Sequence, residues 1–225
     1  PLITCRFDPA GSAVYSSAQD STVQRWDIDS GDHVVFEAHD SWVRDICFLP
    51  RQQRLITVAS DDQMILWPLS GERPQPTKKV KADDGWIRSV AVSPDEEFIA
   101  TGGNDNVLRL RDAGSLELVC ELTGHQCHIY STMFHPTGNW LLSGDLEGKI
   151  HQWELPAGKL TRTFDAKDLH TYHKGQRVDY GGVRSMALRH DGKHLPCPPL
   201  HHATNPPPAP NDPPPPPPPP APPQP

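Results

Sequence analysis

Apolar side chains in this chain come in short runs in which alternate positions face opposite ways, and turn residues close each run. Ile46 and Phe48, then Leu55 and Thr57, point to one side of a strand by the two-residue period of an extended backbone. Helical patterning is absent. In the best-marked stretch the pattern predicts four strands near residues 43–48, 54–59, 63–67 and 77–81, separated by turns. A four-stranded sheet of that size cannot bury an apolar face alone, so it must stack on neighbouring sheets.

The stretch is one copy of a repeat. Asp20-Ser-Thr-Val-Gln-Arg-Trp26, Asp61-Asp-Gln-Met-Ile-Leu-Trp67, Asp105-Asn-Val-Leu-Arg-Leu-Arg111 and Glu147-Gly-Lys-Ile-His-Gln-Trp153 align at intervals of about 40–45 residues. Upstream of these anchors lie Phe7-Asp-Pro-Ala-Gly11, Val92-Ser-Pro-Asp-Glu96, Phe134-His-Pro-Thr-Gly138 and Leu188-Arg-His-Asp-Gly192. Proline pre-sets the turn and Gly or Asp closes it, so each is read as a hairpin joining two strands. Four positions preceding the acidic turn residue, Ser16, Thr57, Thr101 and Ser143, all carry a hydroxyl.

With this period and these anchors, residues 2–195 resemble the WD-repeat family, in which each repeat is one four-stranded blade of a β-propeller. The implied fold is all-β, with about four and a half blades in an incomplete ring. Blades are expected at 1–37, 38–81, 82–122, 123–164 and, in part, 165–197. A fragment of a WD-repeat protein of bacterial type is the expected source, its parent having roughly seven blades. The resemblance also implies a structural hydrogen-bond set of His, Ser or Thr, Asp and Trp in each blade. His39, Thr57, Asp61 and Trp67 form a full set; His125, Ser143, Glu147 and Trp153 nearly match, with Glu replacing Asp. Ser16, Asp20 and Trp26 lack a His that would precede Pro1. The third blade keeps Thr101 and Asp105 but has Asp83 for His and Arg111 for Trp, and is expected to be locally less rigid.

Composition adjusts this picture at the ends. Of 27 prolines, eight run unbroken from Pro213 to Pro220, and a residue without an N–H cannot extend a strand ladder. Residues 198–225 therefore read as an extended polyproline II or disordered tail. It is either a true linker or ligand for proline-binding modules, or a corrupted continuation of the fifth blade. The second reading is favoured, because the repeat register persists until the prolines begin. The chain starts at Pro1 rather than Met, so its natural N-terminus is expected to be missing. A net charge of −7 argues against general affinity for nucleic acid or an anionic membrane. Five cysteines without paired spacing, with Cys5 and Cys47 inside apolar strand patterns, favour a reducing compartment and a cytoplasmic location.

No catalytic site can be assembled. There is no phosphate-binding glycine loop or nucleophile elbow, and Asp61-Asp62, Asp83-Asp84, Cys127-His128 and the pair His170 and His173 lack the further ligands of a metal site. No cofactor, metal or catalytic residue is expected. Surface remains. In the family, the turn entering each blade and the start of its first strand lie on the face around the central channel. Trp42, Trp86 and His128 occupy that turn, and Arg44, Arg88, Tyr130 and Arg184 follow two residues later in successive blades. The connection from Phe164 to Val183 is far longer than its three counterparts and carries His170, Tyr172 and Arg177. Long loops on a rigid scaffold are where binding tends to reside. These residues are the candidate contact set of a non-enzymatic platform for proteins or peptides. The alternative is a propeller domain of a larger enzyme or sensor whose chemistry lies outside this chain.

Overall fold

The computed structural model describes residues 1–165, 170–173, 176–179 and 182–187. Four sheets of four strands follow one another along the chain, each an antiparallel meander. The first holds β1 (Leu2–Phe7), β2 (Ala13–Ala18), β3 (Thr22–Asp27) and β4 (His33–Glu37). The second holds β5 (Val43–Leu49), β6 (Arg54–Ala59), β7 (Gln63–Pro68) and β8 (Lys78–Lys81). Next come β9 (Ile87–Val92), β10 (Phe98–Gly103), β11 (Leu108–Asp112) and β12 (Leu118–Leu122). The fourth holds β13 (Ile129–Phe134), β14 (Trp140–Asp145), β15 (Lys149–Glu154) and β16 (Lys159–Asp165). The second-sheet strands lie within about one residue of the bounds expected from pattern, the usual uncertainty of strand ends.

The Pro-containing turns close the first hairpin of each sheet as their residues require. Gly11 and Gly138 adopt φ of 73° and 77°, and their amides donate to Asp8 and His135 carbonyls at 3.0 and 2.8 Å. In the third sheet Glu96 takes this left-handed position, at φ 61°. Its carboxylate accepts the Arg51 amide at 2.9 Å, so the strained residue also ties the third sheet to a hairpin of the second.

Alternation along each strand feeds two different cores. Leu55 of β6 packs with Tyr15, Phe36 and Trp67 between the first and second sheets, whereas its neighbour Ile56 packs with Val90 and Ile99 between the second and third. Ala100 and Leu110 then meet Leu141 and Trp153 between the third and fourth. Middle sheets are thus buried on both faces, which is why β6 and β7 read as nearly continuous apolar runs. The innermost strands lie side by side, β1 against β5, β5 against β9 and β9 against β13, around a common channel. The outer strand β8 presents Lys78, Lys79 and Lys81 to solvent, a charge pattern that discourages pairing with another chain.

The sheets form an open arc of all-β, propeller-type blades. The first sheet turns one face outward, leaving Phe7 67% and Trp26 42% exposed. Cys5, expected among buried strand residues, is exposed on this face, which no sheet of the described residues covers, whereas Cys47 in the second sheet is half-buried. At the other end residues 182–187 lie against the fourth sheet. The Val183 amide donates to the Asp145 carbonyl at 2.7 Å, and its side chain packs on Leu142 and Ile150. This segment was expected to be a fifth first strand; it occupies that place but is not a ladder strand among the described residues. The long connection contains a hairpin rather than an irregular loop: β17 (His170–His173) pairs with β18 (Gln176–Asp179), Tyr172 opposite Arg177. The proline tail falls outside the described residues.

Candidate functional site

Two constellations emerge from the expected residues, one internal and one at the surface. In the second sheet, the His39 imidazole places Nδ1 2.9 Å from Asp61 and Nε2 2.7 Å from the Thr57 hydroxyl, which also accepts the Trp67 indole N–H at 2.9 Å. With His39 donating from Nδ1 to the carboxylate, its Nε2 is an acceptor, so Thr57 donates to it while receiving from Trp67. Every polar atom of the buried relay is thereby used. Burial works against the Asp61 charge, but the bonds from His39 and the Asp40 and Gln63 amides hold its pKa below the usual value.

The fourth sheet repeats the relay through His125, Ser143 and Trp153 at 2.7–2.8 Å, but the carboxylate is not Glu147. Asp145, two residues earlier, receives His125 Nδ1 at 2.8 Å and the Glu147 and Lys149 amides on its other oxygen. Asp145 ends β14 opposite Ile129, as Ala59 ends β6 opposite Val43, so it points inward where Glu147 would stand out on the turn. In the first sheet the Trp26 indole reaches Ser16 only at 3.4 Å and stacks on His33, while Asp20 binds its own turn through Thr22.

The third sheet replaces the relay by an ionic one. Thr101 donates to Asp83 at 2.9 Å, and Arg109, opposite Thr101 on β11, approaches Asp83 at 3.5 Å, bonds Asp105 and donates to Glu121 at 2.9 Å. The positions facing the other hydroxyls hold Gln24, Ile65 and His151. Arginine here therefore accompanies the exchange of His for Asp. Arg111, in the Trp position, donates to the Ala82 and Leu116 carbonyls. Asp83 thus meets Arg109 while Arg111 meets backbone carbonyls, and Asp83 Oδ2 and Arg111 Nε are buried without a hydrogen-bond partner among the described residues. Sequence reading missed Arg109; the signal was a charged residue in the row that faces the hydroxyls. Burial is the main cause that raises the Asp83 carboxyl to about 6, opposed by Arg109. Burial also lowers His151, stacked at 3.9 Å on His125, to about 4.

The surface constellation is a row of alternating rings and guanidinium groups across the channel mouth. Arg44 lies 4.8 Å from the Trp42 ring and 5.1 Å from Trp86. Arg88 lies 5.6 Å from Trp86 and 4.2 Å from Tyr130, and Arg184 is 5.5 Å from Tyr130 on the other side. Repetition builds it: each Arg follows the entering turn by two residues, and each blade sets the next one beside it. Arg44 Nε donates to Ser60 at 2.7 Å, and Arg88 Nε donates to Asn104 in the same manner. Trp42 and Trp86 remain 41% and 45% exposed. His128 is drawn aside to Asn106 at 3.2 Å and does not join the row. The side chains of His170, Tyr172 and Arg177 lie outside the described residues.

Behind the row opens a cleft of about 710 Å³, lined by the first strands of all four sheets and by residues 184–186. Its buried acid, Asp45, accepts three hydrogen bonds. One oxygen accepts Arg6 and the Ile46 amide, both at 2.9 Å, and the other accepts the Val90 amide at 3.1 Å. Asp45 thus pins three successive sheets together. Among the described residues no group of three His, Cys, Asp or Glu side chains is arranged to hold a metal ion, and no helix is long and apolar enough to cross a membrane.

Compared with known families, the WD domain, G-beta repeat, matches residues 32–67, 74–112 and 116–154. Nuclear distribution protein PAC1 of Arthroderma otae is 26% identical over 177 residues, covering 69% of this chain and 38% of that protein. Transcription initiation factor TFIID subunit 5 of Caenorhabditis elegans is 26% identical over 160 residues, 71% of this chain and 24% of that protein. Apoptotic protease-activating factor 1 of Rattus norvegicus is 26% identical over 155 residues, 69% of this chain and 12% of that protein. The chain spans less than two fifths of the PAC1 protein it matches. These relatives are eukaryotic, which corrects the expectation of a bacterial-type source.

Proposed function

The chain belongs to the WD-repeat family, and from that premise we propose that it is a non-catalytic platform that holds protein or peptide segments against the channel mouth. The observation that carries this reading is the row Trp42, Arg44, Trp86, Arg88, Tyr130 and Arg184, half exposed and held in order by backbone-like repetition. Trp, Tyr and Arg are the residues that contribute most to protein interfaces, and a rigid scaffold reduces the ordering cost of using them. The relays inside the sheets serve this surface by fixing the turns from which the row projects. In the second and fourth sheets their His, Asp and hydroxyl groups hydrogen-bond one another within the fold, so they are assigned a structural role. A protein partner, rather than nucleic acid or membrane, agrees with the net charge of −7, and a cytoplasmic setting with cysteines that lack paired spacing.

The test is a pull-down with the longer parent protein, comparing wild type with a Trp42→Ala, Trp86→Ala double variant and with a variant lacking residues 167–178. Partners lost from the double variant, with its melting transition unchanged, support the channel mouth as the working face. Partners retained in full by both folded variants would remove this face from consideration.

A further inference from the structure

The row at the channel mouth carries a charge that the described residues leave uncompensated. Among the described residues Arg44, Arg88 and Arg184 make no ion pair, whereas Arg6 in the same cleft is neutralised by Asp45. Asp45 is directed elsewhere, its two oxygens accepting from Arg6 and from the Ile46 and Val90 amides. Burial, and then the neighbouring cation, holds the Arg44 pKa below its ordinary value, and burial lowers Arg88 with a further contribution from Arg184. Cations therefore lie side by side with rings between them and, among the described residues, no acid paired with them.

The guanidinium groups are also aimed. Each guanidinium carbon lies over two rings, and the single N–H that each of Arg44 and Arg88 spends within the protein is the Nε–H, on Ser60 and Asn104. Each keeps its two terminal nitrogens for a ligand, in the planar fork that matches a carboxylate. We propose that the channel mouth binds an extended peptide segment in which Asp or Glu side chains pair with Arg44 and Arg88 while intervening apolar side chains cover Trp42 and Trp86. This rests on the reading of the face as a peptide platform and names the chemistry of its ligand.

Charge complementarity selects the occupant. A carboxylate supplies the missing anion without displacing an internal partner, and exposed indoles beside each guanidinium suit a segment that alternates acidic with apolar residues. A polyanion such as nucleic acid is disfavoured by the overall charge of −7, and neither Arg44 nor Arg88 has a lysine or helix N-terminus beside it in the row to complete a phosphate cradle. Recognition is local, so it needs short-range pairing rather than long-range attraction.

The test is selection of short random peptides on the immobilised full chain, followed by affinity measurement of the selected peptides and of copies with every Glu and Asp changed to Gln and Asn. The structure predicts enrichment of acidic residues beside apolar ones and a loss of about tenfold or more on amide exchange. A loss of similar size is expected in Arg44→Gln and Arg88→Gln, checked for an unchanged melting transition. Arg88→Lys should recover part of it, because charge is kept and the fork is lost. Selected peptides indifferent to amide exchange but lost in Trp86→Ala would overturn the carboxylate assignment and leave the platform standing. Peptides indifferent to every one of these variants would overturn both. Phosphoserine copies that bind tenfold tighter than the Glu originals would overturn the choice of carboxylate over phosphate.

Discussion

Replacing Thr57 by Val isolates the buried relay of the second sheet, because the side chain keeps its shape and loses only the hydroxyl. Trp67 and His39 are 1% and 8% exposed, so water cannot take over the bonds that the hydroxyl supplied. Two groups are orphaned: the indole N–H at 2.9 Å and the imidazole Nε2 at 2.7 Å. Each buried polar group left unpaired costs about 1–3 kcal/mol, so the variant should lose about 2–6 kcal/mol. Ser16→Ala is the internal control. Its bond to Trp26 is 3.4 Å long, the indole is 42% exposed and no imidazole bonds the hydroxyl, so the loss should stay below about 1 kcal/mol. Urea unfolding of the full chain followed by far-ultraviolet circular dichroism reads both. With an m-value of about 2 kcal/mol/M, Thr57→Val should lower the midpoint by about 1 M or more. Adding Trp67→Phe removes the indole donor as well, so the double variant should lose less than the two single losses together. Equal midpoints for Thr57→Val and Ser16→Ala, or strict additivity with Trp67→Phe, would refute the relay as drawn.

Trp67→Ala should cost about 3–5 kcal/mol by removing a large core aromatic, and Arg111→Ala about 1–3 kcal/mol because the Ala82 and Leu116 carbonyls lose a charged donor; denaturant midpoints of the two variants check the order. Two groups give opposite pH signatures. Asp83 is raised from 3.8 to about 6, so the folded state holds its proton longer and the carboxyl's contribution falls as pH rises through that window. Asp83→Asn should therefore gain on wild type between those values and then level off in a series of melts. His151 is lowered from 6.5 to about 4, so its contribution is complete above 6.5 and is lost as pH falls toward 4; His151→Phe should remove that slope. At Gly103 an added Cβ would lie 2.1 Å from the Trp86 carbonyl oxygen, so Gly103→Ala should displace the Trp86 turn. Loss of peptide binding with little loss of circular dichroism would show it.

Much of the fold could be read from the chain because a repeat reports the same constraint several times. The turns at Gly11 and Gly138, the hydroxyl row and the indoles of Trp67 and Trp153 recur at equivalent places, so local pattern and sheet stacking agree. The surface row was legible for the same reason: equal offsets from the entering turns place Arg44, Arg88 and Tyr130 on neighbouring inner strands. What pattern could not show is distance across blades. That Arg44 touches both Trp42 and Trp86, and so belongs to two repeats, is set by stacking angle rather than by any spacing in the sequence.

The errors share one physical origin, which is that a repeat alignment presumes identical chemistry at identical offsets. In the fourth sheet the carboxylate moved from the turn to the strand end, and His125 accepted it because Asp145 and Glu147 straddle the same hairpin. An inward Asp at the place of Ala59 needs buried donors, which His125 and the Glu147 and Lys149 amides supply, and that was the available clue. In the third sheet two substitutions have to be read together. Asp83 alone looks like a lost histidine, and Arg109 alone looks like a surface charge. Side by side, with Arg109 only 7% exposed, they restore an internal pairing that neither makes singly. The pairing also bears on the proposed binding face. Asp83 precedes the turn that carries Trp86, and Arg109 bonds Asp105, which accepts the Asp84 amide at 3.4 Å. The ionic set therefore steadies the turn from which Trp86 and Arg88 project, as His39 and Asp61 steady the turn beneath Trp42 and Arg44 through the Asp40 amide. A family rule has been broken at the level of residues and kept at the level of what the residues hold in place.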